Sequence, residues 1–324
     1  MIVLAHDFLA QADVIFDVRS PSEFASSHIV GARNVPVLDD NEREQVGKLY
    51  KQDPFGAKVL GATLICKNIS QVLCTLGITP AQVIGIYCAR GGMRSLSLQS
   101  ILQNIGYRTL RLTNGYKAYR KEVLEFLAKP LDSQFFTLSG PTGCGKSTLI
   151  GMYEHSLDIE SLSMHLGSSF GGICGQQPRA AMFENLLFAR LRELEGKKIL
   201  VENESKKLGS LVVPSMIYNA YKNGVKILIT APLQIRIQRI LEQYGDIDLD
   251  FFNHAMQKIA PFMDKRYWLQ AHKAFELRDL EQVAYILITQ YYDKVYRKEP
   301  CAFHIDSTNL ESAFEHIRQI IATH

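Results

Sequence analysis

The chain has 324 residues, 47% of them hydrophobic and 21% charged, with a net charge of +3; this suits two domains with real cores and excludes bulk disorder. No stretch reaches the roughly 20 unbroken apolar residues of a membrane span, and residues 1–7 lack a basic region ahead of an apolar one, so neither a membrane anchor nor a signal peptide is expected. The mild charge does not by itself announce a nucleic-acid binder, although it leaves room for a local basic face. The six cysteines lie at 66, 74, 88, 144, 174 and 301. No pair has Cys-x-x-Cys spacing and they are sparse, so neither a structural zinc site nor a disulfide framework is expected, and a reducing, cytoplasmic compartment is.

In chain order, residues 14–18 (Val-Ile-Phe-Asp-Val) read as a buried strand, and residues 83–87 and 109–112 as two more. A helix is predicted near 116–127. The long connection from about 37 to 82 should carry helices of its own, because long structureless loops are uncommon. This alternation predicts a parallel α/β domain over residues 1–130. Lys129-Pro130-Leu131-Asp132-Ser133 suits a short linker. A second α/β domain, 131–324, opens with a strand at 135–138 and has further strands at 199–201, 225–230 and 302–305. A helix at 183–194, with Phe183, Leu186, Leu187, Leu191 and Leu194 on one face, lies between Pro178 and Gly196. The region 251–298 reads as mostly helical and aromatic-rich, a packing region that makes the C-terminal part helix-rich.

Gly140-Pro141-Thr142-Gly143-Cys144-Gly145-Lys146-Ser147-Thr148 fits G-x-x-x-x-G-K-[ST] between a strand and a helical run. In such a loop Gly140, Gly143 and Gly145 let backbone N–H groups turn inward around an anion, while Thr142, Cys144 and Thr148 complete the turn. The helix N-terminus adds partial positive charge, Lys146 neutralises phosphate oxygens, and Ser147 can hold Mg²⁺. Cys144 reads as a small filler residue. Glu202, just after residues 199–201, is the candidate Walker B-like acid, with Glu204 the alternative; either also reads as a solvated strand end. Arg236 and Arg239, on a helix after Pro232, are candidate phosphate clamps, or else a solvated helix face.

Tyr87-Cys88-Ala89-Arg90-Gly91-Gly92-Met93-Arg94-Ser95 follows a strand and precedes a helix. Gly91 and Gly92 permit a tight anion-cradling loop, and the helix N-terminus with Arg90 and Arg94 would favour a thiolate. Cys88 is therefore the expected reactive cysteine, with an inert buried thiol as the alternative.

Asp17-Val18-Arg19-Ser20-Pro21-Ser22-Glu23-Phe24, then His28-Ile29-Val30-Gly31-Ala32 and Asn34-Val35-Pro36, resemble the opening signature of rhodanese domains. The cysteine loop stands at their active-site position, and Asn114-Gly115-Tyr116 resembles their closing turn. A rhodanese-like domain followed by a P-loop NTPase-like domain resembles the tRNA 2-selenouridine synthase family along nearly the whole chain. The resemblance also rests on Tyr50-Lys51-Gln52, Gly115 to Arg120, His165 with Gly167 to Gly171, Phe183-Glu184-Asn185, Glu204-Ser205 and Leu208-Gly209. Lys206 and Leu166 stand where the family usually has Arg, which bears on anion or tRNA binding there.

The resemblance implies a transferase that replaces the sulfur of wobble 2-thiouridine in tRNA with selenium from selenophosphate, through S-geranylation by geranyl diphosphate. Both small molecules are substrates, and no tightly bound cofactor is expected. It implies Cys88 as catalytic, with Arg90, Gly91, Gly92, Arg94 and Ser95 holding selenophosphate. Arg108, Arg111, Lys117, Arg120 and Lys121, interleaved by Tyr116 and Tyr119, become candidate tRNA contacts, with a solvated helix face as the other reading. Three rival readings stand beside this one. Cys88 to Arg94 has the Cys-x5-Arg spacing of a phosphatase. The phosphate loop would also serve a kinase or ATPase with a rhodanese module. A sulfur carrier would act only through a partner enzyme.

Overall fold

The computed structural model describes residues 1–245, 247–296 and 299–324. They form two compact units, Met1–Leu127 with Arg179–Ala189, and Ala128–Pro178 with Arg190–His324. Among them no helix is long and apolar enough to cross a membrane.

The first unit is built on a five-stranded parallel sheet in the spatial order Ile2–Val3, Arg108–Leu112, Val83–Tyr87, Val14–Asp17, Arg33–Asn34. The central strands carry unbroken apolar runs because helices cover both faces of such a sheet. Phe16, Ile84, Ile86, Leu98 and Leu102 are fully buried in its core. The 37–82 connection holds two helices, Asp40–Tyr50 and Pro54–Thr75. Asp39 caps the first by accepting from the Glu42 N–H, and Asp53 caps the second by accepting from Phe55 and Gly56. Gly85 is required mid-strand, since a Cβ there would lie 2.8 Å from both Phe8 Cζ and Ala12 Cβ. The closing helix runs Gly115–Leu127.

The second unit has its own parallel sheet, in the order Phe303–Asp306, Val225–Thr230, Gln134–Ser139, Lys198–Glu202, Ser156–Leu157. A hairpin, Lys207–Leu208 with Leu211–Val212, stands apart from it. The expected helical region contains Leu249–Ile259, Lys265–Glu276 and Leu280–Leu287, followed by a π-helical turn at Ile288–Tyr292. The last two residues of the 251–298 region, Arg297 and Lys298, lie outside the described residues. The aromatic residues there do pack as a core, with Phe252 stacked on Phe275 at 3.9 Å between ring centroids.

Candidate active sites: a phosphate loop and a cysteine loop

The phosphate loop leaves the strand Gln134–Ser139 and enters the helix Lys146–Met152. Two neighbours explain its glycines. A Cβ on Gly143 (φ 79°) would meet the Arg236 backbone, and one on Gly145 (φ 89°) would meet Leu310 at 2.7 Å. Gly140, Thr142, Gly143, Lys146 and Ser147 line a cavity of about 250 Å³. Lys146 Nζ donates to the Gly140 carbonyl at 2.9 Å and pairs with Glu202 at 3.3 Å. Burial pulls the Lys146 pKa down, but Cys144, Glu202 and Glu204 outweigh it and hold the pKa above its ordinary value, so the ammonium stays charged.

Ser147 Oγ lies 3.2 Å from Glu202 and 3.0 Å from Glu160, within donating reach of both. Glu160, Glu202 and Glu204 bring carboxylate oxygens within 4.8 Å of one another. Burial and the Glu202 charge push the Glu160 and Glu204 carboxyls well above the usual range. Of these acids the sequence pointed to Glu202 and Glu204. Glu160 was missed, because it follows a strand of only two residues; the cue was Asp158, which caps the short helix by accepting from the Ser161 N–H.

Three expectations about this loop need correcting. Arg236 is no clamp over phosphate: it is buried, its Nε donates to the Thr142 carbonyl at 2.7 Å, and its guanidinium pairs with Asp293 at 2.6 Å. Arg239 is occupied likewise, donating to the Ser307 carbonyl at 2.6 Å. Thr148 is exposed and points to no role in the cavity. Cys144 is fully buried, and that burial pushes its thiol up, as a packing residue requires. Leu166 lines the cavity, whereas Lys206 donates to Ser215 Oγ at 2.9 Å.

In the first unit the cysteine loop joins the strand Val83–Tyr87 to the helix Met93–Asn104, with Gly92 at the N-cap. Gly91 has φ 67°, and a Cβ there would come within 3.1 Å of the Asn114 backbone nitrogen. Cys88 is 3% exposed, and its Sγ lies 3.2 Å from Ser95 Oγ, which also donates to the Gly92 carbonyl. Arg90 is exposed at the turn. Arg94 does not face the loop: it pairs with Glu23 at 2.6 Å. It therefore supplies no charge to a thiolate or an anion here, and a Cys-x5-Arg phosphatase loses its anion-binding guanidinium.

The basic cluster divides. Arg108, Lys117 and Lys121 are exposed. Arg111 instead donates to the Gly91 carbonyl at 2.6 Å and braces the cysteine loop. Arg120 pairs with Glu184 and donates to Asn185 Oδ1 at 2.5 Å. Tyr119 is 1% exposed, so it cannot stack on a base. Tyr116 stacks on Tyr87 and Tyr119 and lies under the Arg19 guanidinium, while its hydroxyl accepts from Asn185. Arg19 is itself held by a buried ion pair with Asp17 at 2.5 Å, so the Asp-x-Arg of the opening signature is a structural brace.

A rhodanese-like domain model matches residues 4–122, and a model described as the tRNA 2-selenouridine synthase AAA domain matches residues 133–270. Three similar proteins are each named tRNA 2-selenouridine synthase. The one from Psychromonas ingrahamii is 32% identical over 254 residues, covering 77% of this chain and 69% of its own. The one from Hydrogenovibrio crunogenus is 30% identical over 320 residues, covering 87% and 88%. The one from Alcanivorax borkumensis is 36% identical over 238 residues, covering 71% and 66%. A phosphate loop and a cysteine loop, each on its own parallel sheet and each in the matched half, accompany this likeness over most of the chain: it belongs to the tRNA 2-selenouridine synthase family.

Proposed function

We propose that the protein replaces the sulfur of wobble 2-thiouridine in tRNA with selenium, in two steps run at two anion sites. The carrying observation is that each unit has its own anion-type loop, one with an ammonium and carboxylates, the other with a cysteine. In the first step the thiouridine sulfur attacks C1 of geranyl diphosphate. The C–S bond forms, the C–O bond breaks, and diphosphate leaves. Lys146 and the inward N–H groups of residues 140–147 stabilise the departing charge. Three carboxyl groups around the same cavity would repel diphosphate, so a cation belongs there. Ser147 with Glu202, and Glu160 and Glu204 behind, are hard oxygen donors that fit Mg²⁺. When bound it neutralises diphosphate oxygens.

In the second step selenium from selenophosphate attacks C2 of the modified base and geranyl thiol leaves. Water takes the phosphoryl group, giving phosphate, and no oxidant is needed. The exposed turn at Arg90, Gly91 and Gly92 holds selenophosphate, and Cys88 with Ser95 positions its selenium. Arg108, Lys117 and Lys121 remain as tRNA phosphate contacts, and a tRNA substrate implies a cytoplasmic setting.

The test is mass analysis of nucleosides from 2-thiouridine-bearing tRNA. With geranyl diphosphate and Mg²⁺ alone, S-geranyl-2-thiouridine should accumulate. Adding selenophosphate should convert it to 2-selenouridine. Neither product forming, with ATP hydrolysed instead, would return the protein to the kinase or ATPase reading.

A further inference from the structure

Beside the phosphate cavity, in the same unit, lies a second and smaller one of about 70 Å³. The two share Thr142, Ile240, Tyr244 and Tyr292, so a ligand whose head sits on the phosphate loop meets the second cavity directly. Its far wall is hydrocarbon: Phe170, Phe252, Val283 and Leu287, all buried. The polar atoms nearest the junction are already engaged, since Tyr244 Oη lies 3.0 Å from Ser168 Oγ and Tyr292 also bonds Ser168. Nothing on this wall resembles the donor and acceptor pattern that a nucleotide base needs. A phosphate loop opening on such a wall selects an amphiphile with an anionic head and an apolar tail.

We infer that the helix-rich C-terminal part is the tail site for a prenyl diphosphate and sets its chain length. This rests on the proposed diphosphate role of the loop and adds where the hydrocarbon goes. Apolar cavities of about 150 Å³ hold a benzene ring. The present one is smaller, so it takes the branched end of a chain rather than the whole of it. The first isoprene unit lies in the larger cavity beside the loop, and the second ends between Phe252, Val283 and Leu287. A five-carbon chain stops short of that wall, and a fifteen-carbon chain has to displace it.

The experiment is a binding series on the full-length protein with Mg²⁺, using inorganic diphosphate and dimethylallyl, geranyl and farnesyl diphosphates, with ATP alongside. Geranyl diphosphate should bind at least roughly tenfold tighter than the dimethylallyl compound, a modest share of the gain from burying five more carbons. Farnesyl diphosphate should add nothing further. Val283→Phe should weaken geranyl diphosphate about tenfold and leave inorganic diphosphate unchanged, which also reports that the variant is folded. Leu287→Ala should move the preference toward farnesyl diphosphate. If Val283→Phe does not fold, the chain-length series on the unaltered protein decides. Inorganic diphosphate binding with no gain from any tail, or ATP binding as tightly as geranyl diphosphate, would overturn the tail site while leaving the diphosphate role intact. Failure of inorganic diphosphate itself to bind would remove both.

Discussion

Glu160 shows how a single side chain can work against the fold for the sake of a site. Burial and the Glu202 and Glu204 charges raise its pKa from the ordinary 4.5 to about 9, and burial with Glu202 raises that of Glu204 to about 7. A carboxyl raised in this way is protonated in the native state while the unfolded chain has already lost its proton. The native state then binds more protons, so stability falls as pH rises from about 4.5 through 7 and towards 9. In chelator, the protein should therefore melt at a lower temperature at pH 8.5 than at pH 5.5. Glu160→Gln should reduce that difference, and Mg²⁺ should stabilise the parent at pH 8.5 more than the variant. Thermal melts at the two pH values check this; an identical pH dependence in parent and variant would mean that Glu160 is not the buried acid. The sequence exposes Glu202 and Lys146 because one ends an apolar strand and the other sits in a spaced motif. It hides Glu160, whose role depends on a two-residue edge strand with no pattern to read.

Elements follow the same division. Strands buried on both faces, such as Val83–Tyr87 and Val225–Thr230, carry runs that only an interior strand needs, and they are legible from the residues alone. Ile2–Val3, Arg33–Asn34 and Ser156–Leu157 are two-residue strands at sheet edges whose pairing comes from the tertiary fold. The helix Leu233–Tyr244 held a signal that the clamp reading passed over. Leu233, Arg236, Ile237, Ile240 and Tyr244 fall at helical spacing on one stripe, so Arg236 points into the protein with the apolar residues. There it supports the phosphate loop from below through the Thr142 carbonyl. Arg236→Ala should cost about 2 kcal/mol of stability, less than the roughly 3–5 kcal/mol of a fully buried pair because Asp293 is partly exposed. It should also raise the KM for geranyl diphosphate, since the loop loses a fixed carbonyl. Arg236→Lys should not restore either, because an ammonium cannot make the forked contact. Denaturant melts with geranylation kinetics test this; a stable variant with a normal KM would leave Arg236 without a supporting role.

At the scale of the whole molecule, each loop draws its groups from within one unit. Cys88, Ser95 and Arg111 belong to the first, and Lys146, Ser147, Glu160 and Glu202 to the second. The two chemical steps should therefore be separable by mutation. Cys88→Ala leaves the phosphate loop, its ammonium and its carboxylates untouched, so geranylation should proceed at close to the parental rate and S-geranyl-2-thiouridine should accumulate when selenophosphate is present. Lys146→Ala removes the ammonium that faces the departing diphosphate. It should cut geranylation by roughly tenfold to a hundredfold, from the about 1.5–3 kcal/mol of a hydrogen bond to a charged group. Given tRNA that is already S-geranylated, the Lys146→Ala protein should still install selenium, whereas the Cys88→Ala protein should not. Nucleoside mass analysis of both variants on both tRNA forms decides the matter. Loss of geranylation in a folded Cys88→Ala protein, or failure of Lys146→Ala on the geranylated tRNA, would mean that one site performs both steps.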